Sequence, residues 1–386
     1  MPSSSSLAGA QQPSPLRNRG FSLMLLASLA AFFGYALLLP VVPLWAVRQG
    51  AGAFAAGAAT GVFMGSTVAA QFAVPAFVRR FGYRAGLLWG ALLVGAPAPL
   101  LIVATSAPSI LAISLVRGLG FGLLTVCGSA LIAELLPTGS LARGAGLHGL
   151  AVGVPQLLGL SVGTAIAEHW AFPPVFLLAT ALPAVALVPT LLLPKVFPRY
   201  QRRGRGGLRS LAGATWAPWA VMLAVSTGFG ALTTFLPIAL ENATAAAVAL
   251  FLAPGAAMLT RWLAGQLGDR LSGPGRMLPA ALAVSAAGLL GVAVWTAEPV
   301  LAVVAVTAFG AGFGVVQNDS LVTMFARSPA GQASMVWNVA FDAGTGLGAV
   351  AVGAIVSGTS FPVAFGLVAV SAFALLPVAI RARHPR

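Results

Sequence analysis

Charge is what this sequence has least of: of its 386 residues only 7% are Asp, Glu, Lys or Arg, against 59% hydrophobic, with a mean hydropathy of +0.95. Soluble domains carry about 25% charged residues. Seven acids and twenty-one bases cannot cover a water-facing surface of this size, so the solvent around most of the chain is lipid. There is one cysteine, Cys127, inside an apolar run, which excludes a disulfide framework and a cysteine-rich metal site. Three scattered histidines exclude a histidine cluster, and no paired nucleophile and base stands out, so an enzyme is not expected. A glycine-lysine phosphate loop is also missing, which excludes direct use of ATP and leaves ion gradients as the energy source, with no cofactor. Lysine is almost absent too: Lys195 is the only one, and the reliance on Arg, Ala and Gly is that of a GC-rich bacterial genome.

What is present is a succession of apolar runs. A helix crossing the hydrocarbon layer needs about 20 residues. Runs of that kind fall at about 21–45, 53–77, 85–105, 109–135, 142–167 and 172–193, then at about 217–239, 244–267, 277–296, 299–325, 331–357 and 362–380. The expected fold class is therefore all-α, with twelve membrane spans in two bundles of six. Residues 1–19, rich in Ser and Pro, are expected to be disordered; 20–193 and 216–381 form the two bundles, 194–215 a basic linker and 382–386 a tail. The first run is too long for a signal-peptide core and is read as an uncleaved span.

Loop charges test the count independently. Arg17, Arg19, Arg79, Arg80, Arg84, Arg143, Arg270, Arg276, Arg327 and Arg381 all fall on one side of a twelve-span chain, with the acid-free linker that carries Lys195, Arg199, Arg202, Arg203, Arg205 and Arg209. The other side receives Arg48, Glu168, Glu241 and Glu298. Positive residues in short loops stay in the cytoplasm, so both termini are expected there, in a bacterial inner membrane. The bases lie between apolar runs and not along one polar face, so the net charge of +14 does not indicate a nucleic-acid partner. The chain is expected to work as a monomer in the bilayer.

The halves carry matching punctuation: PAFVRRFGYR at 75–84 follows the second span and GQLGDRLSGPGR at 265–276 the eighth. The second resembles the signature loop of the major facilitator superfamily, with Gly265, Asp269 and Arg270 in place and Arg261 one turn earlier. The first copy has Pro75 for the glycine and Arg79 for the acid. RGLGFG at 117–122 is similar to the family's fourth-helix arginine motif, although Gly120 stands where glutamine is common. GLAVGVPQLLG at 149–159 resembles the glycine-proline motif of helix 5 in drug/proton antiporters, with Val154 inserted. The resemblance implies alternating access around a central cavity lined by the first, fourth, seventh and tenth spans, with Arg261, Gly265, Asp269 and Arg270 as a gating latch.

A charge at bilayer depth costs about 3 kcal/mol or more and normally faces a partner or a wet cavity. Arg117 in the fourth span, Asp319 in the tenth and Asp342 in the eleventh are such charges. Asn338, Asp342 and Thr345 share a helical face, and Gln317 and Asn318 adjoin Asp319. A buried carboxyl group changes protonation as its polar surroundings change, which is what proton coupling requires. Asp342, or alternatively Asp319, is the expected proton carrier, with Arg117 as an opposing charge; a structural ion pair is the competing reading. Tyr35, Gln156, Phe229, Phe235, Gln317, Asn318, Trp337 and Asn338 are candidates for the cavity lining, and each also suits an ordinary helix contact. Gln71 and Gln156 can bond between helices or touch substrate. His148 and His169 read as satisfied histidines near opposite membrane surfaces. The expected function is proton-coupled efflux of a small hydrophobic or amphipathic compound, a drug or natural product, as in antibiotic resistance. The alternative is symport of a sugar or other nutrient.

Overall fold

The computed structural model describes residues 14–137, 140–198, 208–268 and 273–383. Asp269 and Arg270 lie outside the described residues, as do residues 1–13, the linker bases Arg199, Arg202, Arg203 and Arg205, and the tail from 384 onward.

The helices are α1 (Arg19–Arg48), α2 (Gly52–Gly95), α3 (Ala107–Leu135), α4 (Leu141–His169), α5 (Phe172–Leu192), α6 (Leu208–Ala239), α7 (Ala243–Gly268), α8 (Leu278–Val294), α9 (Pro299–Arg327), α10 (Ala330–Val356), α11 (Phe361–Phe373) and α12 (Leu376–Arg381). Among the described residues, ten segments are long and apolar enough to cross a membrane, and Leu278–Val294 is a shorter apolar helix. One of the ten, Gly52–Ile102, is two crossings: Gly82 leaves helical geometry with φ 77° and ψ 166°. α3 shows that the chain reverses there. Its Gly118 and Gly122 lie against Phe63 and Thr67, rising together along the first leg of α2, while its Leu124 and Cys127 lie against Gly90 and Gly86, running opposite to the second leg. With α11 and α12 sharing the last crossing, the twelve spans of the hydropathy pattern are present.

The element ends differ from the composition-based boundaries in two places. Pro15–Arg17 forms a 3-10 turn inside the segment expected to be unstructured, because Asn18 caps α1 by accepting from the Phe21 amide and donating to the Leu135 carbonyl, 2.8 Å away. α6 begins at Leu208, inside the expected linker.

Each half repeats one device at the end of the bundle that carries the basic loops. Gly82 puts its turn against the segment that follows the last span of its own half, where the Tyr83 amide donates to the Val196 carbonyl at 2.9 Å. Gly275, φ 85°, lies in the same way against the Ala382 carbonyl. A side chain would be strained at either φ and would meet that carbonyl. At the opposite, far end, Arg48 and Glu168 close a salt bridge at 2.9 Å between α1 and α4.

Candidate functional site

The bundles meet chiefly where the first leg of α2 packs on α10, α4 on α7, and α1 on α6. The α2–α10 seam is built from small residues, which let two backbones approach closely. From the far end inward it pairs Ala53 with Gly353, Gly57 with Ala349, Gly61 with Val350 and Met64 with Gly346. Beside it the Thr234 hydroxyl donates to the Thr60 hydroxyl across the bundles at 3.2 Å. The seam ends on a polar pair: Gln71 Nε2 donates to Asp342 Oδ2 at 2.5 Å and reaches Thr125 Oγ1 at 3.4 Å. Gln71 and Asp342 are both buried, and Gln71 Oε1 has no hydrogen-bond donor.

Beyond this pair the helices part. Residues 340–346 of α10 are buried apart from Ala343, whereas the six from Ser334 to Val339 are all partly exposed. On α4, a side-chain carbon added at Gly146 or Gly149 would meet nothing. Among the described residues, the interface is thus shut from the far end down to Asp342 and more open beyond it, toward the basic end.

The three intramembrane charges do not form one cluster. Arg117 is buried among three helices of the first bundle, donating from Nε to the Val94 carbonyl and from Nη2 to the Gly34 carbonyl, both at 3.0 Å, with its guanidinium 5.6 Å from the Phe63 ring centre. Asp319 accepts the amides of Gly275 and Met277, each at 2.9 Å, and so holds the turn that opens α8. Asp342 alone stands on the interface, with a neutral amide against it. Asn338 and Thr345 share its helix face, but their hydrogen bonds return to Ser334 and Phe341 of their own helix.

Around Asp342 the second bundle is aromatic. Trp337 stacks near Phe341 at 5.9 Å, Phe341 meets Phe229 at 5.7 Å, and Phe229 stacks on Phe313 at 5.0 Å. Arg261 joins this patch, its guanidinium 5.8 Å from the Trp337 ring centre and its Nη1 3.3 Å from Gln317 Oε1. Trp337 in turn donates to Ser320 at 3.1 Å. Gln156 is half-buried on α4, whose Gly153 and Leu157 face Met258 and Gly255 of α7. Asn318 is half-buried near Gly265. Phe235 stands apart at the far end, wholly buried against Phe361 and Gly353. Tyr35 stacks on Phe121 at 4.0 Å and on Phe63 at 5.7 Å, and its hydroxyl has no partner.

Gln71, expected to bond between helices or touch substrate, bonds to Asp342 across the bundles. Its depth, in a span carrying no other amide, was the available signal. His148 differs from its expected place at the membrane surface: its Nε2 is buried without a partner, against Gly128 and Ser28.

The family model described as Major Facilitator Superfamily matches residues 24–348. No curated protein sequence matches the chain. Among solved structures, a POT family transporter in complex with thioalcohol conjugated peptide is 14% identical, covering 94% of this chain and 96% of that one with a TM-score of 0.77. A POT family transporter in complex with 5-aminolevulinic acid is likewise 14% identical, covering 95% and 96% with a TM-score of 0.79. At that identity the likeness is one of fold. The chain belongs to the major facilitator superfamily: it is a multi-pass membrane transporter, not an enzyme.

Proposed function

We propose that this secondary transporter of the major facilitator superfamily exports a small hydrophobic or amphipathic compound in exchange for a proton carried by Asp342. In this reading the basic face is cytoplasmic, in a bacterial inner membrane. The observation that carries it is the Gln71–Asp342 pair at the deep end of the α2–α10 seam. Opening the far face requires α2 and α10 to separate, and that separation breaks the pair. The protonation of Asp342 and the direction of access are therefore linked.

The unpaired Gln71 Oε1 gives the link a sign. A protonated Asp342 carries a donor that Oε1 lacks, whereas the ionised form has none to give and remains an uncompensated charge in an apolar interior. The proton therefore favours the shut seam, and its release into the cytoplasmic opening loosens it. Trp337, Phe341 and Phe229 beside Asp342 offer a ring-lined surface for an apolar compound. Arg261, Gly265, Asp269 and Arg270 would act as the cytoplasmic latch.

A second reading is symport of a small nutrient, here an amino-acid-like or peptide-like zwitterion. It is favoured by Arg261, a half-buried cation on the same patch as Asp342, since a zwitterion needs one base and one acid. The POT structures with a peptide conjugate and 5-aminolevulinic acid agree with it at the level of ligand class.

Everted vesicles with an internal acid gradient and a pH-sensitive dye test the proposal. Hydrophobic compounds should collapse the gradient in wild type and leave it intact in Asp342→Asn. Collapse that persists in the variant removes Asp342 from coupling. No collapse with any such compound, together with proton-dependent uptake of dipeptides into intact cells, replaces export with symport.

A further inference from the structure

Arg117 raises a question that proton coupling does not answer. A guanidinium has five N–H donors. Two of them end on the Val94 and Gly34 carbonyls, and neither acceptor carries a charge. Arg117 borders a cavity of about 20 Å³. A single water needs about 10–15 Å³ on the same measure, so there is room for a small ion. The polar part of the lining consists of Arg117, Tyr35, Thr60 and Ser114; the remaining residues are aliphatic or aromatic, and no acid is among them.

These polar groups can all donate. The Tyr35 hydroxyl is wholly buried and unpartnered. Thr60 Oγ1 already accepts from Thr234, which frees its own hydrogen. Ser114 is buried on the wall of the same cavity. A buried cation with spare N–H groups, ringed by hydroxyl donors and walled by hydrocarbon, suits a desolvated anion. A water can accept from Arg117 and donate to a hydroxyl oxygen of Tyr35 or Ser114, but it brings no charge to set against the buried guanidinium.

We infer that the Tyr35–Thr60–Ser114–Arg117 cavity is a binding site for a monatomic anion of the chloride class. The anion neutralises Arg117 and completes the donors of Tyr35 and Ser114. Because Thr60 is bonded to Thr234 of the other bundle, occupancy also stiffens the shut seam. Asp342 is not part of the cavity lining, and it carries the same sign as the anion. Neutralising Asp342 should therefore preserve or tighten anion binding, which separates this site from proton coupling.

The test is the thermal midpoint of the purified full chain in detergent, with chloride titrated against gluconate at constant ionic strength. Wild type should show a saturable rise. The half-saturating concentration should increase about tenfold in Tyr35→Phe, the effect of one lost hydrogen bond to a charged group. Ser114→Ala should move it the same way and serves if Tyr35→Phe does not fold, while Asp342→Asn should keep the rise. Equal midpoints in the two salts, or a rise of the same affinity in wild type, Tyr35→Phe and Ser114→Ala, overturns the site and leaves a water-filled cavity.

Discussion

Two carboxylates in neighbouring helices of the second bundle, Asp319 in α9 and Asp342 in α10, are alike in type and burial and opposite in situation. Asp319 is 4% and Asp342 3% exposed. Asp319 is held by two backbone amides of one turn, within one bundle, and nothing in a rocking motion of the bundles disturbs those bonds. Asp342 is held by one side-chain amide from the other bundle, a bond that the proposed cycle breaks when the far seam opens. Burial therefore does not identify a coupling acid. What sets Asp342 apart, in the proposed cycle, is a partner on the other bundle.

The comparison breaks first, and most completely, at Asp342. Asp342→Asn should reduce compound-driven proton flux to the level of empty vesicles while the protein still folds, because Asn keeps the contact with Gln71 but carries no proton. If Asp319→Asn gave the same loss, the distinction would be wrong.

The seam comes next. A side-chain carbon at Gly57 would collide with the Ala349 carbonyl, which is backbone and cannot rotate away. Gly57→Leu should hold the far face open, so that a Thr234→Cys probe, buried in the wild-type seam, reacts with an impermeant maleimide. Unchanged labelling would mean that the helices repack around the larger residue.

Asp319→Asn should act on stability and not on coupling. Losing one charge-assisted bond to the α8 turn should cost about 2 kcal/mol, read as a lower thermal midpoint, with transport per folded molecule unchanged. The smallest effect belongs to Asn338→Ala. Its amide donates to the Ser334 carbonyl of its own helix, so stability should move by no more than about 0.5 kcal/mol. A large loss of transport in that variant would mark Asn338 as a substrate contact.

Most of the fold could be read from the sequence, and less of the site. The crossings follow from local hydropathy, and even the helix pair merged across Gly82 was separable by its charged punctuation, Arg79 to Arg84. Asp342 was legible because a carboxylate near the centre of an apolar span is costly anywhere. Arg117 was legible for the same reason, but its carbonyl acceptors on α1 and α2 were not, since backbone acceptors leave no mark on residue identity. His148 shows the limit from the other side: its position near a helix end implied the surface, whereas the rotation of α4 turns its Nε2 toward Gly128.

The sequence by itself determined the number of crossings and their division into two halves, because lipid selects residues one segment at a time. Only the tertiary structure decided that Gln71 meets Asp342, that Asp319 holds a turn, and that the bundles are shut at one end and more open toward the other. Those outcomes depend on helix rotation and on which bundle faces which, and small residues such as Gly57, Gly61 and Gly346 permit that contact without specifying it from sequence alone.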